Sequence, residues 1–269
     1  MNAPTRQPAP GFDRELGQHT PEAIVRWTLA TLGDDIILTS SFGAESAVML
    51  HLVSRIIPSI RVVFIDTGHL FPETYRFAEE LRRRLDLDVR VYTPEWTSAR
   101  LEALHGPLWQ GDEDALARYQ QLTKVEPMRR ALEELKPKAW LAGLRRVQTN
   151  HRANLAYVQQ QGQHTKVCPI LDFTDDDVRS YLKQHDLPYH PLYEQGYRSI
   201  GDVHSTRPTL PAERDAGARR SVAAHGPGPR LRALKAERAA MAWRGRAALA
   251  NPSHGVRWEL VPGVTSWYE

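Results

Sequence analysis

Short apolar runs alternate along the chain with longer segments in which apolar residues recur every three or four positions. Runs rich in Ile and Val are typical of strands buried on both faces, whereas the three-to-four spacing is typical of helices with one buried side. The strand pattern falls on Ile36–Thr39, Arg61–Ile65 and residues 89–92. Helix patterns follow the first two strands, over residues 45–57 and 73–85.

This order of elements predicts the class of fold. A strand–helix–strand–helix–strand sequence is typical of an α/β protein with a doubly wound, mainly parallel sheet. In such sheets, ligands bind beyond the carboxyl ends of the strands. We therefore expect the loops at residues 40–46, 66–70 and 93–97 to line a single site.

The same patterns continue to about residue 208. A helix is predicted to begin after Thr20, a good capping residue with Pro21 behind it, and to end at Gly33. Residues 185–208 are expected to form an ordered loop. The other predicted elements are a helix at Glu126–Leu135, a strand at Ala139–Ala142, an extended piece at residues 166–170 and a helix at Asp175–Gln184.

The two ends of the chain differ in composition from its body, residues 15–208. Residues 1–14 are rich in proline and have no apolar run of the secretory kind, so a disordered lead-in is expected. Residues 209–269 form an atypical tail, in which Ala, Arg, Gly and Pro make up 28 of the 40 residues at 211–250. Such a composition rarely builds a core and is also what a GC-rich gene yields in a shifted frame, so we expect a poorly ordered tail.

Charge and cysteine content narrow the function classes. The formal net charge is +3, but the excess of basic residues lies in the tail, which argues against a folded nucleic-acid groove. No apolar run reaches the ~20 residues of a membrane span, so a cytoplasmic protein is expected. The single cysteine, Cys168, excludes an internal disulfide and a CxxC metal or cluster site.

The loop after the first strand combines hydroxyl groups with glycine. It begins with Ser40, Ser41, Phe42 and Gly43 and leads into a helix. Backbone N–H groups, serine hydroxyls and the start of a helix together suit a phosphate or a sulfate. The loop matches neither GxxxxGK[ST] nor GxGxxG, and by itself it is either an anion site or a plain connection.

Six stretches, in order and with natural spacing, resemble the phosphoadenosine phosphosulfate reductase family, which is related to the PP-loop pyrophosphatases. The resemblance covers about residues 15–208 and implies the adenine nucleotide alpha hydrolase-like, or PP-loop, fold. The stretches are TSSFGAESAVMLHLV, FIDTGHLFPETYRFAEEL, KVEPMRRAL, AWLAGLRRVQTNHRANL, KVCPILDFTDDDVRSYL and LPYHPLYEQGYRSIGDVHSTRP.

The resemblance implies a reaction of assimilatory sulfate reduction: 3′-phosphoadenylyl sulfate (PAPS) is reduced to sulfite and adenosine 3′,5′-bisphosphate. A cysteine thiolate attacks the sulfur to give S-sulfocysteine, and thioredoxin or glutaredoxin then reduces that adduct. The implied partners are therefore PAPS, its bisphosphate product and thioredoxin, with no nucleic acid and no membrane. A homodimer is an open alternative.

The resemblance also implies which residues bind substrate. Asp66 has an alternative role as a helix cap for the segment that follows it. For Arg145 and Arg146 the alternatives are a surface position and a structural ion pair, although we expect at least one of them to contact ligand. Arg207 is the expected anion contact within residues 204–208. The implied residues are Ser40, Ser41, Phe42, Gly43, Asp66, Thr67, Lys124, Arg145, Arg146, His204, Thr206 and Arg207.

The sequence departs from the family in its cysteines. Where relatives that use the unphosphorylated nucleotide carry cluster-binding cysteines, this chain has Tyr119, Gln120, Asp202 and Ser205. We therefore expect no iron–sulfur cluster and the 3′-phosphorylated substrate. The family's nucleophilic Glu-Cys-Gly-Leu-His segment is also missing, and Cys168 is expected to be a buried apolar residue, so no catalytic residue is identified.

Three hypotheses follow. In the first, the chain is a reductase whose carboxyl-terminal region was altered by a frameshift. In the second, it is a non-catalytic homologue that binds the adenosine phosphosulfate. In the third, it is a PP-loop adenylyltransferase or pyrophosphatase relative that uses ATP. This hypothesis is the weakest, because the loop has SSFGAES in place of the SGGKDS pattern of ATP users.

Overall fold

The structure, a computed structural model, describes residues 15–149 and 151–209. The predicted lead-in at residues 1–14 and all but the first residue of the predicted tail lie outside the described residues. The described strands are β1 (Ile36–Thr39), β2 (Arg61–Ile65), β3 (Asp88–Tyr92), β4 (Ala139–Ala142), β5 (Val158–Gln161) and β6 (His164–Val167).

Seven α-helices of the described residues accompany the strands. Three single 3₁₀ turns lie at Leu108–Gln110, Arg146–Gln148 and His151–Asn154, and a π-helical turn lies at Gln121–Val125. The helices are α1 (Pro21–Leu32), α2 (Ala47–Ser54), α3 (Pro72–Arg84), α4 (Ser98–His105), α5 (Glu113–Gln120), α6 (Glu126–Leu135) and α7 (Asp175–Gln184).

The six strands form one sheet in the order β3-β2-β1-β4-β6-β5. All neighbours are parallel except β5 and β6, which form an antiparallel pair. The predicted α/β class with a doubly wound, mainly parallel sheet is thus confirmed. The chain winds outward from β1 in one direction and from β4 in the other, so the crevice for a ligand lies where β1 and β4 end.

The hydrophobic core is built on the central strands, which are the strands that the apolar runs of the sequence predict. The central strands are buried, with Ile37 and Leu38 of β1 and Leu141 of β4 fully inaccessible to solvent. Helix α2 packs closely against the chain just after β4, because a Cβ atom placed on Gly143 would lie only 2.9 Å from Cγ of Met49. No helix of the described residues is long and apolar enough to cross a membrane.

Two predicted boundaries shift in the structure. The extended piece expected at residues 166–170 ends at Val167, because the N–H of Leu171 donates to the carbonyl oxygen of Cys168 and turns the chain. The helix expected to begin at residue 45 begins two residues later, since the N–H of Ser46 still closes a turn onto the carbonyl oxygen of Gly43.

Candidate functional site

The loop after β1 is anchored by its aromatic residue. Phe42 has a φ of +49°, in the left-handed region, and its ring is buried edge-on against Phe64 at a centroid distance of 4.9 Å. Its N–H donates to Oγ of Ser40 at 3.1 Å. The neighbouring Ser41 is exposed. The buried ring of Phe42 thus anchors the loop to the core, while the neighbouring Ser41 faces solvent.

The loop after β2 is closed by a carboxylate. Oδ1 of Asp66 accepts hydrogen bonds from the N–H of Gly68 at 2.8 Å and from the hydroxyl of Tyr75 at 2.7 Å. Gly68 has a φ of +74°, and a side chain there would begin 2.3 Å from Oγ of Ser98. Asp66 therefore closes the loop after β2 but does not cap the following helix α3, whose N-cap is Phe71. A substrate contact for Asp66 stays a prediction.

Lys124 reaches the site from a widened helical turn. The π turn Gln121–Val125 joins α5 to α6, and such turns are frequent at functional sites. Within it, the hydroxyl of Thr123 donates to the carbonyl oxygen of Tyr119 at 2.7 Å. Nζ of Lys124 lies 2.9 Å from Oδ2 of Asp202, in an ion pair between residues far apart in sequence.

Asp202 is the buried centre of this part of the site. It is 1% exposed, and its Oδ1 accepts a 2.5 Å hydrogen bond from the hydroxyl of Thr67. Burial by itself would raise the pKa of Asp202, but the Lys124 ammonium and the Thr67 hydrogen bond outweigh it and hold the pKa below its ordinary value. Asp202 is therefore a carboxylate at neutral pH.

His204 lies in an aromatic cluster beside this carboxylate. Its ring stacks on Trp109 at 4.3 Å, and its Nε2 lies 2.9 Å from the hydroxyl of Tyr119. Burial lowers the pKa of His204 to about 4, although the Asp202 carboxylate acts in the opposite direction. Its Nδ1 is buried without a hydrogen-bond partner among the described residues.

Arg145 is engaged by protein groups. It is 3% exposed and forms ion pairs with Glu45 and, at 2.8 Å, with Asp175. Its guanidinium also donates to the carbonyl oxygen of Phe173 at 3.2 Å. Burial raises the pKa of Glu45, and the Arg145 charge opposes that effect. This arrangement is the ion-pair alternative, and a ligand contact for Arg145 stays a prediction.

Arg146 is also held by the protein. Its Nε and Nη2 donate to the carbonyl oxygen of Leu155 at 3.0 and 2.8 Å. It forms an ion pair with Asp172, and its guanidinium lies 5.3 Å from the ring centroid of Tyr157. Its side chain is more exposed than that of Arg145, and a ligand contact for Arg146 likewise stays a prediction.

The carboxyl-terminal predicted residues lie next to the first loop. The N–H of Gly201 donates to Oγ1 of Thr206 at 3.0 Å, which closes a tight turn, and Arg207 is exposed. Gly43 lies close to Ile200, because a Cβ atom placed on this glycine would be 3.4 Å from the carbonyl oxygen of Ile200. Ile200, at the start of segment 200–207, therefore lies against the serine- and glycine-containing loop. A shared substrate site for these two parts of the chain stays a prediction.

Cys168 lies in the core. It is fully inaccessible to solvent, and its N–H donates to the carbonyl oxygen of Tyr157 at 2.8 Å. Lys166, two residues earlier, is 1% exposed, and burial lowers its pKa. An attacking thiol must be accessible as well as ionised, and this one is not accessible.

Sequence reasoning did not assign site roles to Trp109, Tyr119, His69 and Asp202. These residues come from four separate segments, and only the fold brings them together around Lys124 and His204. Two signals in the sequence bear on them. Tyr119 and Asp202 occupy positions where some relatives are expected to carry cluster-binding cysteines, and His69 and Asp202 each lie two residues from a predicted site residue. No group of three or more His, Cys, Asp or Glu suited to a metal occurs in the described part of the chain.

Comparison with known proteins identifies the family. Residues 35–208 match the model of the phosphoadenosine phosphosulfate reductase domain. The phosphoadenosine 5′-phosphosulfate reductase of a Synechocystis species is 50% identical over 212 residues, covering 78% of this chain and 85% of the relative. The reductase of the same name from Xylella fastidiosa is 54% identical over 191 residues, covering 71% and 81%.

Solved structures agree with this match. The crystal structure of a phosphoadenylyl-sulfate reductase from Candida auris, a phosphate complex, superposes with a TM-score of 0.64 at 29% identity and covers 73% of this chain and 94% of that chain. The FMN adenylyltransferase of Candida glabrata has a TM-score of 0.52 at 20% identity, covers 71% of this chain and 61% of that chain, and supports the PP-loop fold. The chain therefore belongs to the phosphoadenosine phosphosulfate reductase family.

Proposed function

We propose that this chain binds PAPS where β1 and β4 end, in the framework of an enzyme that reduces PAPS to sulfite and adenosine 3′,5′-bisphosphate with thioredoxin in the cytoplasm. The observation that carries the proposal is the meeting of the serine- and glycine-containing loop with segment 200–207 at this point, beside the Lys124–Asp202 pair. Hydroxyls, backbone N–H groups and a lysine ammonium are the groups that bind phosphate and sulfate esters.

The proposed roles follow from position. Ser40, Ser41 and Gly43 supply hydroxyl and backbone donors to an anion, and Lys124 supplies positive charge. The neutral ring of His204, with one nitrogen unpartnered in the described residues, supplies a further polar contact. The remaining proposed substrate contacts are Asp66 and Thr67 beside the adenosine, Thr206 and Arg207 in the carboxyl-terminal segment, and one of Arg145 and Arg146.

The chemical step needs a thiolate that these 269 residues do not present. Formation of S-sulfocysteine requires a thiolate in line with the sulfur, with the nucleotide as leaving group. Cys168 is inaccessible, and it is the single cysteine of the chain. We therefore propose that the chain binds PAPS without releasing sulfite. Resequencing of the gene beyond codon 208 separates a frameshifted reductase from a non-catalytic homologue.

The polar residues at the positions of cluster-binding cysteines favour a cluster-free site. Tyr119 contacts His204, Asp202 binds Lys124, and Ser205 donates to the carbonyl oxygen of Asp202 at 3.1 Å. None of these residues offers a thiolate to iron. The proposed substrate is accordingly the 3′-phosphorylated nucleotide.

Calorimetric titration with adenosine 3′,5′-bisphosphate tests the proposed site. Lys124→Met removes the ammonium, so we expect binding at least tenfold weaker, in line with the ~1.5–3 kcal/mol of a charged hydrogen bond. Lys138→Met is the matched control, because Lys138 pairs with Asp35 at the amino ends of β1 and β4, opposite the ends that carry the proposed site. Failure of the unaltered chain to bind, or equal effects of the two substitutions, would contradict the proposal.

A further inference from the structure

We infer that Asp202 is a positioning residue whose buried carboxylate fixes the Lys124 ammonium at the anion site. The inference rests on the proposed function of Lys124 and adds to it the group that holds this lysine in place. Three segments distant in sequence meet here, namely the loop after β2, the π turn Gln121–Val125 and the segment 200–207.

Asp202 is itself held rigidly by the loop after β2. Its Oδ1 accepts the 2.5 Å hydrogen bond from Thr67, and its backbone forms an antiparallel bridge with Leu70. The N–H of the next residue, Val203, donates to the carbonyl oxygen of His69 at 2.8 Å. This hydrogen bond is part of the bridge, so one side-chain hydrogen bond and one backbone bridge fix the carboxylate before any ligand binds.

Lys124 needs such a partner because its side chain is long. Ordering a free lysine costs up to ~2 kcal/mol of rotamer entropy, and that cost would otherwise weaken ligand binding. Oδ2 of Asp202 holds Nζ at 2.9 Å. The side chain of Lys124 is 24% exposed while that of Asp202 is 1% exposed, so Lys124 is the partner on the solvent side of the pair.

The neighbouring groups leave the pairing to Lys124. His204 is neutral at pH 7, because burial lowers its pKa to about 4, and Tyr119 is neutral because burial and the Asp202 charge raise its pKa. The Asp202 carboxylate is therefore balanced by the lysine rather than by these rings. Ile200, two residues before Asp202, touches the serine- and glycine-containing loop, which brings the pair to the proposed anion.

Substitution of Asp202 alone and together with Lys124 tests the inference. Asp202→Asn keeps the shape and an acceptor for Thr67 but presents an uncharged amide to the ammonium. We expect adenosine 3′,5′-bisphosphate to bind about tenfold more weakly to D202N in calorimetric titration. In a Lys124→Met background the same change should alter the dissociation constant less than twofold, since coupled residues are not additive.

Further variants separate positioning from a merely structural role. Asp202→Glu keeps the charge and should recover part of the lost affinity. Asp88→Asn, which removes a carboxylate paired with Arg90 at the start of β3, should leave binding unchanged. If D202N does not fold, Asp202→Ser, which also removes the negative charge, takes its place, and its expected loss should likewise vanish in the Lys124→Met background.

Two results would overturn the inference while leaving the proposed function intact. Equal weakening by D202N with and without Lys124 would assign Asp202 a structural role only. Tighter binding by D202N would mean that the carboxylate acts by repelling the anion. By contrast, no binding by the unaltered chain, or no effect of Lys124→Met, overturns the proposed function itself and with it this role.

Discussion

At the scale of single residues, the site keeps a charged pair and a neutral histidine side by side. Burial disfavours the charged form of both side chains. At Asp202 the lysine and threonine that contact the carboxylate outweigh this effect and keep its pKa low. At His204, which stacks on Trp109, burial prevails and the imidazole is neutral. The electrostatic character of the site is therefore decided by which partner each group has, and not by burial alone.

This difference predicts how stability depends on pH. Folding lowers the pKa of His204 from 6.5 to about 4. Between these pH values the unfolded chain binds more protons than the folded chain, so the free energy of unfolding should fall as the pH falls. The slope from one histidine is at most about 1.4 kcal/mol per pH unit, and solvent screening reduces it.

Urea unfolding at pH 7, 6, 5 and 4 measures this effect. The unaltered chain should lose stability steadily below pH 6.5, and His204→Gln should lose less over the same range because glutamine does not titrate. His190, whose pKa burial also lowers to about 4, keeps part of the slope in both chains. Identical slopes for the variant and the unaltered chain would show that His204 titrates as it does when unfolded.

At the scale of elements, the π turn is the feature that delivers Lys124. The hydroxyl of Thr123 donates a hydrogen bond to the carbonyl oxygen of Tyr119. The N–H of Glu126 donates to the carbonyl oxygen of Gln121, five residues earlier, and this bond closes the wide turn. Because the turn sets the direction of Lys124, its hydrogen bonds should influence ligand binding as well as stability.

Thr123→Val tests this link. The substitution keeps the volume but removes a buried hydrogen bond, so we expect a loss of ~1 kcal/mol in unfolding free energy. We also expect weaker binding of adenosine 3′,5′-bisphosphate, measured by calorimetry on the folded variant. Thr28→Val in α1 is the control, because its hydroxyl makes the same bond to Ile24 away from the site. Unchanged binding by T123V would show that the hydrogen bonds of the turn do not influence ligand binding.

The elements also show what the sequence could reveal. The buried strands β1, β2 and β4 were predicted at their observed bounds, because continuous apolar runs are a strong signal. The edge strand β5 was missed since Val158–Gln161 is almost entirely polar. Helices α4 and α5 were missed for a related reason: each buries a single residue, Leu101 or Tyr119, and so lacks a helical period.

The site was predictable only in part for a physical reason. The loops at the carboxyl ends of the strands follow from the order of the elements, and the family resemblance adds Lys124 and His204. The hydrogen bond between Thr67 and Asp202 joins residues 135 positions apart. Such a contact depends on the folded arrangement of three segments, and a single sequence carries no local pattern for it.

At the scale of the whole molecule, the chain combines a family fold with a missing reactive group. The reductase domain matches residues 35–208, and its loops meet where such sheets bind ligands. Yet the single thiol, on Cys168, is buried in the core. The proposed binding is thus separable from the chemistry, because the proposed anion contacts lie within the described residues, whereas the single thiol of the chain is inaccessible.

Intact-mass spectrometry of the 269-residue chain, incubated with saturating PAPS and no reductant, tests this claim most directly. The account predicts that the nucleotide occupies the site while the mass of the protein stays unchanged, since no thiolate can reach the sulfur. Gain of one sulfonate group by the protein, lost again in Cys168→Ser, would contradict the account.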